Sequence, residues 1–261
     1  MICTPTAPSA AMPLDSVGGL SAPVGNVLVV TARPGQESAD LGGLLYVFRR
    51  GGSSLDLLCL TRGEASPLNS SWSARLESVR PWELQLAANV LGISSVTVAS
   101  YPDGRLRCYP REELIWRVRR SIRQQCADLL VVLDPEEGDL DAAAVAMVAC
   151  TAAAHEGVPV VACTGPGGRG AWVIELGAEA ATARAIQKAA VAAHTSQSHG
   201  LAELTRRIDL LDGHEYLRWL EPPRYIDHDP AQHPRSAPSV WTARATSTAR
   251  ATATARATAT R

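Results

Sequence analysis

The chain has 261 residues, 46% of them hydrophobic and 20% charged, enough to bury one core of single-domain size but not several. Lys188 is its only lysine, against 24 arginines, a bias expected of a GC-rich genome rather than of a specific nucleic-acid binder. The net charge of −1 conceals an asymmetry: no acid follows Asp229, whereas five arginines do, so the body is acidic and the tail basic.

No apolar run reaches the roughly 18 to 20 residues of a membrane helix, and the first residues lack a basic segment followed by an apolar one. A soluble, cytoplasmic protein without a membrane span is expected. The six cysteines are widely spaced without a CxxC, a pattern that predicts reduced, mostly buried thiols rather than a disulfide frame or zinc knot.

Residues 1–25, rich in Pro, Ala, Ser and Gly, read as a flexible leader. Nearly continuous apolar runs then recur at 27–31, 55–61, 95–100, 129–133 and 158–164, as in strands covered on both faces. Helical patterns fill the gaps: 37–50, closed by Gly51 and Gly52; 73–91, closed by Gly92; 111–125, after Pro110; and 140–155, closed by Gly157. A strand over 171–176 and helices over 178–194 and 201–217 complete a domain placed at 26–229. From residue 242 a TARATA-like hexapeptide repeats. It buries little area and carries an arginine every six residues, so 230–261 reads as a disordered basic tail.

Strand–helix alternation implies right-handed crossovers, hence an α/β fold: a three-layer, Rossmann-like domain with a mostly parallel sheet flanked by helices. The site is then expected in the loops after the strands: ARPGQES (32–38), TRGEAS (61–66), YPDGRL (101–106) and DPEEGDLDAAAV (134–145). The first loop lacks both GxGxxG and GxxxxGK[ST], so neither default nucleotide reading applies. GPGGRG (165–170) lies between two strands and reads as a connecting turn.

The ordered set of loops resembles the PIG-L/LmbE-like family of zinc-dependent N-deacetylases (GlcNAc-PI de-N-acetylase-like). There a first strand ends in AHPDDE, matched here by ARPGQE, and a second in T-x-G-E, matched by TRGE. VRPWELQLAANVLGI resembles the family's Arg-x-x-Glu helix through Arg80 and Glu83. YPDGRL resembles its L-P-D-G-x-L, GDLDAAAV its GHPDHxAV, and AAHTSQ (192–197) its late H-x-S-Q. The resemblance covers about Val27 to Ile226.

Position by position, the resemblance implies substituted chemistry. The two first-motif zinc ligands become Arg33 and Gln36, the general base becomes Gly35, the third ligand becomes Ala142, and the second-motif histidine becomes Asp139. Guanidinium, neutral amide and methyl groups do not form a zinc donor set, and without metal or base nothing activates water. The expectation is a catalytically inactive homologue with no zinc and no other cofactor.

Three readings of the altered pocket stay open. Arg33 fills the metal position by pairing with Glu37, Asp139 or Asp141; or it grips an anionic small ligand; or acids such as Asp134, Asp139 and Asp141, or those near His194, recruit a harder metal. Glu64 reads equally as a ligand contact or a turn cap, Arg80 with Glu83 as an ion pair, Asp103 first as a turn residue, and His194 as a residue satisfied near a helix end. No Ser or Cys stands in a nucleophile elbow. The alternative function is an N-deacetylase or amidase of an N-acyl amino sugar or specialised metabolite working through a reorganised site. A homo-oligomer, or assembly with an active paralogue, is compatible with the sequence.

Overall fold

The computed structural model describes residues 24–66 and 76–221. The expected leader up to residue 23, the tail and the last residues of the predicted domain lie outside them. Five parallel strands form the centre: β1 (Asn26–Thr31), β2 (Ser54–Thr61), β3 (Ser95–Tyr101), β4 (Leu129–Leu133) and β5 (Val160–Thr164). With β6 (Trp172–Glu175) and β7 (His214–Leu220) they make a seven-stranded sheet in the order β3-β2-β1-β4-β5-β7-β6. β7 runs antiparallel to both β5 and β6.

The first four predicted strands are present within a residue of their expected ends. Their side chains alternate between two cores. Leu28 and Val30 of β1 join the core under α4 (Arg111–Gln125) and α5 (Leu140–Glu156), while Val27 and Val29 join the core under α2 (Gly42–Arg50), α3 (Leu76–Leu91) and α6 (Ala180–Ala192). Both faces of the central strands are therefore dry, which explains their nearly continuous apolar character.

Three expectations change. The helix predicted over 37–50 is two pieces, a short α1 (Gln36–Ala39) and α2, divided at Asp40 and Leu41. Gly42 and Gly43 open α2 because α6 and β7 approach too closely for side chains: a Cβ on Gly43 would overlap the Glu215 carboxylate and the Arg184 guanidinium. The helix predicted over 201–217 stops early, as α7 (Leu201–Leu210), and the remainder is β7. Asp212 and Gly213 adopt positive φ in the intervening turn, ending the helix. Finally, Cys59, Cys108, Cys150 and Cys163 are free thiols, three of them buried, but Cys126 is disulfide-bonded, against the expectation of reduced cysteines. The GPGGRG segment is the turn between β5 and β6.

Candidate functional site

The order of the parallel strands reverses between β1 and β4, and crevices in such sheets open at the carboxyl ends of the two flanking strands. The loop after β1 carries Arg33, and the loop after β4 carries Asp139. Asp139 caps α5, its Oδ1 accepting from the backbone N–H groups of Asp141 (3.0 Å) and Ala142 (3.1 Å). Its other oxygen accepts from the Arg33 guanidinium and from Gln36 Nε2 (3.1 Å). Arg33 also lies 3.7 Å from Asp103.

Gln36 is held from its other end as well, its Oε1 accepting from the N–H groups of Ala32 (2.9 Å) and Arg33 (3.3 Å). Gly35, at φ +103°, supplies the left-handed turn that opens α1. One residue on, Glu37 is fully buried. Its Oε1 lies 2.7 Å from His194 Nε2 and accepts from the Ser38 hydroxyl at 2.7 Å; its Oε2 accepts from Gly35 N–H at 2.8 Å. Burial pushes the Glu37 carboxyl up, but the charge and hydrogen bond of His194 and the Ser38 hydroxyl outweigh it, leaving the group below its ordinary value. His194 Nδ1 is buried without a partner.

Asp141 spends both oxygens on the YPDGRL loop, accepting from the N–H groups of Gly104 (2.7 Å) and Leu106 (3.0 Å). Asp103 accepts from the Thr61 hydroxyl (3.3 Å) and Ala65 N–H (3.0 Å), and Glu64 accepts from Asp103 N–H (2.9 Å). These carboxylates stitch the loops after β2, β3 and β4 to one another. Arg80 and Glu83 do not pair. Arg80 donates to the carbonyls of Gly63 and Pro34, while Glu83 clasps the segment after α6, accepting from the Thr195 hydroxyl, Ser196 N–H and Ser196 hydroxyl, each at 2.7 Å. Asp134 is taken by Arg218 on β7, so the acids named for a recruited metal are apart. Among the described residues no three His, Cys, Asp or Glu side chains are grouped to hold a metal.

Beside this network lies a cavity of about 570 Å³, within the size range of small-molecule sites. Of the predicted residues, Arg33, Gly35, Gln36, Arg80 and His194 line it; Glu37, Glu64, Asp103, Asp139, Asp141 and Ala142 do not. Sequence reasoning missed the apolar part of its wall, Val191, Leu201 and Leu204, and the acid Asp40. Burial raises the Asp40 carboxyl despite Arg207 at 2.9 Å. The only signal for that wall was the apolar spacing of α6 and α7, which reads equally as core. Cys59 is no nucleophile: burial pushes its thiol up to about 12. Among the described residues no helix is long and apolar enough to cross a membrane.

Residues 28–153 match the family model PIG-L, GlcNAc-PI de-N-acetylase. A curated relative, "Probable N-acetyl-alpha-D-glucosaminyl L-malate deacetylase 2" of Bacillus anthracis, is 30% identical over 109 residues, 40% of this chain and 46% of the relative. The chain thus spans about half the length of that protein. Among solved structures, the fold is similar to GalB, the 4-carboxy-2-hydroxymuconate hydratase of Pseudomonas putida KT2440 (TM-score 0.62, 18% identity, 82% of this chain and 98% of that one). It is also similar to the N,N'-diacetylchitobiose deacetylase of Pyrococcus horikoshii (TM-score 0.61, 15% identity, 76% and 84%). The match to the PIG-L, GlcNAc-PI de-N-acetylase, family model thus covers just under half of this chain, on a fold similar to that of a deacetylase.

Proposed function

We propose that this chain is a PIG-L homologue without the zinc site, catalytically inactive as a hydrolase, that binds a small anionic ligand in the cavity beside Arg33. The observation that carries the reading is the Arg33–Asp139 ion pair, which sets an organic cation and its counter-ion at the two positions where the resemblance implies a zinc ligand and a catalytic histidine. The residues do not fit zinc: Arg33 is itself cationic, the Gln36 oxygen is engaged by two backbone N–H groups, and Ala142 has no donor atom. Gly35 carries no carboxylate to take a proton from water.

The cavity nevertheless keeps the size and polarity of a ligand site, lined by Arg33, Arg80 and His194 and by the apolar residues Val191, Leu201 and Leu204. The fold tolerates a change of chemistry, since its neighbours include a hydratase as well as a deacetylase. A second reading, an N-deacetylase or amidase with a reorganised site, is favoured by one feature: the buried Glu37–His194 pair beside the cavity, an arrangement able to act as a base without metal.

Elemental analysis of the purified full chain, after exposure to Zn²⁺, Mg²⁺ and Mn²⁺ and removal of loose ions, tests the proposal together with a deacetylation assay on N-acetylglucosamine conjugates. Substoichiometric metal and no acetate release are expected. A full equivalent of washed-in zinc, or turnover abolished by His194→Gln, would overturn it.

A further inference from the structure

Arg80 is 3% exposed, yet among the described residues no carboxylate lies within ion-pair distance of it. Its guanidinium donates only to two backbone carbonyls, Gly63 and Pro34, and its Nε is buried with no hydrogen-bond partner. The acids closest to it electrostatically are committed elsewhere: Asp103 to Thr61, Ala65 and Arg33, and Glu37 to His194 and Ser38. By contrast, Arg33 is paired with Asp139, Arg184 with Glu215 and Arg218 with Asp134. A buried cation without a counter-ion is costly, and arginine does not escape the cost by losing its proton. Arg80 lines the cavity, as do the apolar residues Val191, Leu201 and Leu204.

We propose that Arg80 is the anion-recognition residue of this cavity, pairing with the carboxylate of an organic monoanion whose apolar body lies along Val191, Leu201 and Leu204. The proposal rests on the reading of the cavity as a ligand site and moves the point of charge recognition from Arg33, already neutralised by Asp139, to Arg80. One uncompensated guanidinium balances one negative charge. A phosphate dianion would bring a second, unmatched charge into a cavity that already holds Asp40. The planar fork of the guanidinium suits a carboxylate, and the apolar wall rewards a hydrocarbon body over a sugar.

The test is calorimetric titration of the full chain with hexanoate, its neutral isostere hexanamide, and hexyl phosphate. Saturable hexanoate binding is expected, about tenfold or more tighter than hexanamide and hexyl phosphate. Arg80→Lys should retain the preference for the anion and Arg80→Met should lose it, whereas Arg33→Met should keep it. Because Arg80 also ties two loops, Leu204→Asp on the half-buried wall serves as an independent variant; its new negative charge should weaken hexanoate tenfold or more while leaving the unfolding midpoint in place. Equal affinity for hexanoate and hexanamide, unchanged hexanoate binding by Leu204→Asp, or no binding of any probe would overturn the inference. Hexanoate binding abolished by Arg33→Met but untouched by Arg80→Met would overturn it while sparing the anion-binding reading. Stoichiometric zinc in the same preparation would defeat that reading instead.

Discussion

Replacing Asp141 by alanine separates a structural carboxylate from a catalytic one. Asp141 is buried, and its two oxygens accept from Gly104 N–H at 2.7 Å and Leu106 N–H at 3.0 Å. Hydrogen bonds to an ionised acceptor contribute about 1.5–3 kcal/mol each, and a buried donor left unpaired costs about 1–3 kcal/mol. Leu106 is 1% exposed, so its N–H has no recourse to water, whereas Gly104 is exposed and finds a solvent partner. With the Gly104 bond replaced by water, losing the Leu106 bond (about 1.5–3 kcal/mol) and stranding its donor (about 1–3 kcal/mol) gives about 2.5–6 kcal/mol for Asp141→Ala, with Asp141→Asn losing about half because one carbonyl oxygen remains. Urea unfolding gives the stability, and amide exchange at Gly104 and Leu106 shows whether the loss is local. A change below about 0.5 kcal/mol, the usual range for surface substitutions, or unaltered exchange at Leu106, would refute the argument that Asp141 pins the 101–106 loop.

Glu83→Gln should destabilise by about 1–3 kcal/mol, since one of the oxygens that grip Thr195 and Ser196 becomes a donor facing donors; thermal unfolding with protease sensitivity around residue 196 checks it. The Glu37 carboxyl is held below its ordinary value of 4.5 in the folded protein. The pair with His194 therefore stabilises fully above that value, and the contribution is lost as pH falls through the lower folded value. Urea midpoints measured across that acid range should fall more steeply for the wild type than for His194→Gln. Taking the difference between the two cancels Asp40, Asp56 and Glu215, whose raised values act in the opposite sense; equal slopes would sink the assignment. Rebuilding the donor set with Arg33→His, Gln36→Asp and Ala142→His together should confer about one equivalent of zinc, three protein ligands being the usual catalytic set. The rebuilt protein should still hydrolyse poorly without a base at position 35, and elemental analysis beside an acetate-release assay reads both outcomes.

The central sheet was legible because β1, β2, β4 and β5 are covered on both faces and so are written in nearly continuous apolar runs. β7 was not. HEYLRWL places Glu215 and Arg218 in a strand, and what makes that tolerable, Arg184 for the one and Asp134 for the other, comes from distant segments invisible to any local pattern. The break at Asp40 was hidden for a related reason: Gly42 and Gly43 look like weak helix residues until α6 lies against them. Within the site, ordered motifs located the loops after the strands, and Arg33 near Asp139 followed from them. The assignment of individual acids did not follow. Asp141 and Glu83 sit in functional-looking motifs, but their oxygens are consumed by backbone N–H and hydroxyl groups of neighbouring segments, a division of labour that only three-dimensional contacts reveal.

The antiparallel end of the sheet has a consequence for the order of assembly. β6 is hydrogen-bonded to β7 alone, and β7 comes after α6 and α7 in the chain. During synthesis the five parallel strands emerge and can pair before β6 has anything to join, so residues 172–175 must wait until His214–Leu220 slots in beside β5. That same late block carries His194, the Thr195–Ser196 segment gripped by Glu83, and the apolar wall of the cavity. A nascent or truncated chain ending before residue 180, ahead of α6, would therefore hold all five parallel strands while lacking Val191, His194, Leu201 and Leu204 of the cavity.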